Sequence, residues 1–183
     1  QNSEDVFFQS SLYRNEFPLK VTLVGCEGLI DTELLNNLVF ERLTLFFQKY
    51  PKGKLTIEEL KDSLYLPQLA EVNTKEELFA DIYSGKLILL IEGFEYLLSA
   101  NISKRPQRNP EETSAEVTIK GPRDNFIEDL SINVALIRKR MRTNSLSVKY
   151  FEVGKRTLTK VAVLYMEDIS NPDMVQEISR KIE

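Results

Sequence analysis

Apolar and polar residues recur along this chain at two periods, and the changes of period divide it into elements. Val6-Phe7-Phe8-Gln9 predicts a first strand, and the apolar residues over 20–26 a second. Asp31 suits the N-cap of a helix reaching about Gln48, because Leu35, Val39, Leu43 and Phe46 or Phe47 recur on one face. The Tyr-Pro-Lys-Gly sequence at 50–53 ends that helix. Two short helices follow, each opening with a capping box: Thr56 with Glu59, and Thr74 with Glu77. Pro67 separates them. Leu78, Phe79 and Ile82 form the apolar face of the second, and Gly85 fits its C-terminal cap. Residues 86–91 and 94–99 predict two strands around a hairpin turn at Glu92-Gly93. Residues 87–91 are continuously apolar, which predicts a central strand covered on both faces.

Residues 101–114 carry Pro106, Pro110, several charges and no apolar period after Ile102, so they read as a linker. Beyond it, Val117 and Ile119 alternate with polar residues in a strand over 116–120, which Gly121-Pro122 breaks. Asp124 is a candidate N-cap, and Phe126, Leu130, Val134, Ile137 and Met141 predict one apolar helical stripe. Glu128 and Asp129 sit early in that helix and Arg138, Lys139, Arg140 and Arg142 late, opposing its macrodipole at both ends. Thr143-Asn144-Ser145 stops it, with Asn144 suited to the left-handed conformation. Leu146, Val148 and Tyr150 alternate along a further strand. Phe151 and Val153 shift its phase and predict a bulge near Tyr150. The strand from 159 to 166 is apolar on both faces, which predicts a central position. Asn171-Pro172 then starts a last helix with Val175, Ile178 and Ile182 on its core face. The predicted class is α/β, in two small mixed subdomains: an N-terminal one over 1–100, a linker over 101–114 and a C-terminal one over 115–183.

Composition narrows the chemistry. A chain of 183 residues, 42% hydrophobic and 28% charged, has an ordinary globular composition. Its formal net charge of -4 argues against nucleic acid as a partner. Histidine is absent, which removes the commonest general base and metal ligand, and no cysteine pair exists to bind zinc; no metal or cofactor site is read. Cys26 is the single cysteine and ends an apolar strand, so it reads as a buried structural thiol. Gly25 and Gly28 flank it, but no Lys-Ser/Thr follows, so a tight turn is read in preference to a phosphate cradle. The pairs Glu58-Glu59, Glu76-Glu77 and Glu128-Asp129 lie in first helical turns, where negative charge is stabilised without any catalytic role. The run from Arg138 to Arg142 reads as cations that neutralise a helix C-terminus, and a contact with phosphate or anionic lipid is compatible with that reading. Arg123 stands just before a helix start, where a cation calls for a partner such as Glu128, Glu116 or another subunit. No apolar run reaches the ~18–20 residues of a membrane span, and no signal-peptide pattern appears at the start of the sequence given. Any membrane part is therefore expected outside this chain, whose two ends read as edges of a longer one.

One stretch carries more than periodicity. Glu116, Ile119, Lys120, Gly121, Pro122, Arg123, Phe126, Glu128, Asn133, Leu136, Ile137, Arg138 and Arg140 resemble the signature of GerA-type spore germination receptor A subunits. That signature usually reads E-x-x-I-(R/K)-G-P-R-x-G-F-x-E followed by N-x-x-L-I-R-x-R, and here Asn125 stands in place of the usual glycine. Asn2-Ser3-x-Asp5 before a strand, Gly28-Leu29-Ile30-Asp31, and the passage from Ser84-Gly85-Lys86 to Glu92-Gly93 resemble further family segments. The resemblance implies an N-terminal domain preceding a transmembrane region, in the spore inner membrane and facing the spore core. It implies receptor B and C subunits as partners, an A-subunit homo-oligomer, and coupling of nutrient sensing to ion release. It makes Lys120, Gly121, Pro122, Arg123, Phe126, Glu128, Asn133, Arg138 and Arg140 the expected interaction residues. The alternative is a domain that binds a small nutrient itself, in a cleft between two lobes. An enzyme is least supported, because no acid-base constellation is visible.

Overall fold

The computed structural model describes residues 3–14, 18–49, 56–104 and 126–182. The helix end at 50–53, the linker beyond 104, the strand expected over 116–120, Lys120, Gly121, Pro122, Arg123 and Asp124 lie outside them.

Five strands form an antiparallel sheet in the order β1-β2-β4-β5-β3. They are β1 (Val6–Tyr13), β2 (Leu19–Cys26), β3 (Ala70–Glu71), β4 (Lys86–Ile91) and β5 (Leu97–Asn101). The register runs from Val6 opposite Cys26 to Tyr13 opposite Leu19, and sets Val24 of β2 against Ile88 of β4. Because side chains alternate along each strand, the sheet sorts its apolar residues onto two faces. Val21, Leu23, Leu87, Leu89 and Leu98 face the larger core. Val24, Cys26 and Ile88 face a smaller one with Leu29, Val72, Ile82, Tyr83 and Ala135.

The larger core is roofed by α1 (Thr32–Leu34), a π-helical turn over Leu35–Val39, α2 (Phe40–Lys49) and α3 (Ile57–Leu64). Asp31 caps this helix as expected, its Oδ1 accepting from the backbone N–H groups of Glu33 at 2.9 Å and Leu34 at 3.1 Å. Leu35, Val39, Leu43, Phe46 and Phe47 are all buried. In an α-helix each four-residue step overshoots a full turn, and the wider π turn removes that drift between Leu35 and Val39. Both expected capping boxes are formed, at α3 by Thr56 with Glu59 and at α4 (Lys75–Ile82) by Thr74 with Glu77. The smaller core is covered by α4 and by α5 (Leu130–Arg140), after which β6 (Leu146–Val153) and β7 (Thr159–Met166) form a two-stranded sheet ahead of α6 (Pro172–Ile182). The class is mixed α/β, as read from the sequence.

Several local expectations give way to packing. The strand after β4 begins at Leu97, not 94: Phe94 N–H closes a turn on the Ile91 carbonyl at 3.1 Å, and the pairing resumes at Leu97 opposite Leu90. Leu90 is exposed, so β4 is covered fully on one face only. Helix α5 starts after Asp129, whose carboxylate accepts from the N–H groups of Ser131 and Ile132. Phe126, expected in the helical stripe, precedes the helix and is exposed. The helix ends at Arg140, and Asn144 does not take positive φ. Strands β6 and β7 pair without a bulge, from Leu146 opposite Met166 to Val153 opposite Thr159. Nor is β7 central: among the described residues it pairs with β6 alone, and its apolar side chains are half-buried. On α6, Val175 is buried but Ile178 is exposed, so the helix packs along a narrower side than its pattern suggests.

Gly28 sits in the turn after β2 with φ +75, and a Cβ there would lie 2.9 Å from the Ser131 carbonyl oxygen and 3.0 Å from Ala135 Cβ. Helix α5 therefore approaches this turn as closely as it does because residue 28 is glycine. Gly28→Ala should lower the melting temperature more than Gly93→Ala. Gly93 has φ +85, but its nearest neighbour is Leu19 Cδ2 at 3.8 Å, so it bears the backbone strain without the collision. Differential scanning calorimetry of the two variants checks this; equal losses would mean that the α5 contact is compliant.

Candidate functional site

Three segments meet at the N-terminal end of β1: residues 3–5, the end of β2 at Cys26, and α5. The α5 face that reaches the sheet is Val134, Ala135 and Arg138, not the expected stripe through Ile137 and Met141. Ala135 is small and wholly buried, which lets the helix lie close to the Gly28 turn. One turn further, the same face carries Arg138 into the interior, where it is 0% exposed. The expected cationic surface therefore loses its first member, while Lys139, Arg140 and Arg142 remain exposed.

Arg138 grips Asp5 with two donors. Its Nε donates to Asp5 Oδ2 at 2.6 Å and its Nη2 to Oδ1 at 2.9 Å. Nη2 also donates to Ser3 Oγ at 2.7 Å, and Nη1 to the Thr143 carbonyl at 3.2 Å. The guanidinium lies 4.5 Å from the centre of the Tyr83 ring, within cation–π range. Asp5 is itself 0% exposed. It receives two further donors, the Ser3 hydroxyl at 2.6 Å and the Cys26 thiol at 3.5 Å. Ser3 Oγ also accepts from the Val148 N–H at 2.9 Å, and Glu4 N–H donates to the Val148 carbonyl at 2.9 Å. The Glu4 carboxylate accepts from Tyr150 N–H at 2.6 Å. One cluster thus binds the start of β1 to β2, α4, α5 and β6.

Burial alone would raise the Asp5 carboxyl, but hydrogen bonds from Arg138 and Ser3, and the Arg138 charge, outweigh it and hold the carboxyl below its ordinary value. Burial alone would lower the Arg138 guanidinium, and the hydrogen bonds and charge of Asp5 raise it instead. Burial and the adjacent Asp5 charge push the Cys26 thiol up, so it stays protonated and unreactive. The expectation of a structural thiol holds. With four donors on its two oxygens, Asp5 is committed to this cluster and is not placed to act as a base. The arrangement joins segments; it does not present a reacting group.

The other signature residues fall elsewhere. Lys120, Gly121, Pro122 and Arg123 lie outside the described residues. Glu128 is exposed ahead of α5, whereas Asn133 clamps the chain that enters the helix: its Nδ2 donates to the Ile127 carbonyl at 2.7 Å and its Oδ1 accepts from Ile127 N–H at 2.9 Å. Phe126, Leu136, Ile137 and Arg140 line a shallow groove of about 200 Å³. A second groove, of about 270 Å³ and apolar, lies on the smaller-core face of the sheet between Phe8, Leu90 and Leu97 and the α4 residues Leu78 and Phe79. It touches the buried cluster, since Ser3 and Tyr83 also line it. Sequence reasoning placed Ser3, Asp5 and Arg138 in family-like segments but offered no rule that pairs residues 133 positions apart.

A family model described as Bacillus/Clostridium GerA spore germination protein matches residues 1–183. Stage V sporulation protein AF of Bacillus subtilis (strain 168) is 31% identical over 163 residues, 89% of this chain and 33% of that protein. Spore germination protein XA of Bacillus anthracis is 31% identical over 164 residues, 88% of this chain and 33% of that protein. The chain thus spans about a third of the length of these relatives. The crystal structure of the N-terminal domain of the A subunit of the Bacillus megaterium spore germinant receptor GerK3 superposes with a TM-score of 0.74 at 21% identity, covering 99% of this chain and 65% of that one. At that identity the likeness concerns the fold.

Removing one partner of a buried ion pair leaves the other charge unpaired, which costs about 3–5 kcal/mol. Asp5→Asn and Arg138→Met should each lose stability on that scale, and the double variant should lose less than the sum of the two. Urea unfolding of the four proteins checks this, and strict additivity would count against the coupling. The Asp5 carboxyl is lowered from an ordinary value of 3.8. Its contribution is therefore complete above about that pH and is lost as the pH falls through the lower folded value. The stability gap between wild type and Asp5→Asn should stay constant at neutral pH and close only in strong acid.

Proposed function

The chain belongs to the Bacillus/Clostridium GerA spore germination protein family, and on that premise we propose that it is the N-terminal domain of the A subunit of a nutrient germinant receptor. The observation that carries this reading is the family match over residues 1–183. In it, a membrane region lies outside this chain, the domain faces the spore core at the inner membrane, and its partners are receptor B and C subunits and further copies of the A subunit. Its role is coupling, not catalysis: it passes the nutrient signal toward ion release through subunit assembly.

The buried cluster supports a coupling role. Residues 3–5 and Arg138 come from the two stretches that the sequence divides into an N-terminal part over 1–100 and a C-terminal part over 115–183. In the proposed reading, Asp5 and Arg138 are the joint between those parts, so a displacement of one is passed to the other. Lys120, Gly121, Pro122, Arg123, Phe126 and Glu128 form the contact to a neighbouring element or protomer, with Asn133 holding the chain that leads into α5. A second reading, binding of a small nutrient by this domain, is favoured by the apolar groove beside Tyr83. In that case a nutrient should raise the melting temperature saturably.

Fractionation of spores, with an antibody against this domain, should find a membrane-bound species much larger than 21.2 kDa. A soluble species of the chain's own mass would overturn the receptor reading. Arg123→Ala should weaken receptor assembly or the nutrient response well beyond its effect on melting temperature, and parallel losses would reduce its role to folding.

A further inference from the structure

Strand β1 is one of the two edge strands of the five-stranded sheet, and among the described residues only its β2 side is paired. Its eight residues, VFFQSSLY, include no charge, proline or glycine. Its register with β2 has no bulge. Edges that must stay unpaired usually carry one of these features. Here the edge shows two large apolar side chains instead, with Phe8 72% and Leu12 54% exposed.

The hydrogen bonds say which backbone groups are open. One step before β1 in the same register, Glu27 N–H donates to the Asp5 carbonyl at 2.8 Å. Successive residues of a strand turn their backbone groups to opposite edges. Phe7, Gln9, Ser11 and Tyr13 therefore share the Asp5 orientation toward β2, and Phe8, Ser10 and Leu12 turn theirs outward. Glu4, in the same outward phase, already donates to Val148.

We propose that this edge pairs with the same edge of a second copy of the chain, antiparallel about a two-fold axis at Ser10, joining the two sheets into one. That register sets Phe8 opposite Leu12 twice, on the apolar face that carries Leu90 and Leu97. Ser10 meets itself between them on that same face, and on the other face the register sets Phe7 opposite Tyr13. A shift of two residues in either direction places Phe8 opposite Ser10 or Arg14, so the apolar match selects the register. No like charges meet along the strand, and Arg14 of one copy falls diagonal to Glu4 of the other, an attractive neighbour within reach of long side chains. The contact is isologous and closes at two copies. A single strand pair is a small interface, so the dimer is reversible on its own and gains from other tethers. This deepens the assembly part of the proposed function and rests on it for its setting, while the pairing itself rests on β1.

Sedimentation equilibrium of the purified chain across the micromolar range should show a concentration-dependent dimer. Phe8→Lys and Leu12→Glu should each weaken it at least tenfold with unchanged melting temperature, because both side chains are exposed. The two substitutions together face opposite charges across both cross-strand positions, so the double variant should dimerise again at low salt and dissociate at high salt. A wild-type chain that stays monomeric, or a double variant that associates no better than the single ones, overturns the pairing. Neither result bears on the receptor reading, which the spore fractionation decides separately.

Discussion

A guanidinium held away from water must be surrounded by acceptors, and Arg138 meets that demand with groups drawn from distant parts of the chain. Asp5 supplies two carboxylate oxygens, Ser3 a hydroxyl, Thr143 a carbonyl and Tyr83 the face of its ring. Removing two charges from solvent is costly, and a buried pair is a weak source of net stability even when well paired. Its strength lies in specificity. With the guanidinium in place, the start of β1 has one position relative to α5, because any other leaves a charge unpaired in the interior.

The rest of the interior conforms to that position. Gly28 and Ala135 remove the atoms that would hold α5 off the β2 turn. Ser3 serves three partners at once, Asp5, Arg138 and the Val148 N–H, and so brings β6 into the same cluster. The negative charge of Asp5, with burial, keeps the neighbouring thiol of Cys26 protonated. The connection is rigid while paired and offers no reactive group, which suits the proposed role of passing a displacement between segments. The groove beside Tyr83 abuts this cluster, so whatever changes the ring's position acts on the face of Arg138.

The two sides of the sheet are treated unequally. One is sealed by helices α1 to α3, whereas the other is covered at one end by α4 and α5 and leaves Phe8, Leu12 and Leu90 in solvent. Apolar residues at an uncharged sheet edge are costly in a chain that acts alone, and are accounted for where the edge has a partner. The proposed pairing edge of β1 and the buried pair of Asp5 and Arg138 share one strand and its lead-in, so in the proposed reading the two would be mechanically linked.

The sequence by itself determined what is local: the strands at β1, β2 and β4, the Asp31 cap and the buried face of the helix it opens, both capping boxes, the structural thiol and the mixed α/β class. Each rests on side-chain periodicity or on hydrogen bonds spanning a few residues, and such rules act within a window the sequence displays. The family resemblance was legible for a similar reason, in short runs such as Asn133 to Arg140. Tertiary structure decided the rest. It turned α5 so that Ala135 and Arg138 face inward beside the expected Val134, made Asp129 its cap, left β7 half-covered and joined residue 5 to residue 138. These depend on how elements pack, and a periodicity that cannot tell a surface arginine from a buried one carries no sign of the acid waiting at the other end of the chain.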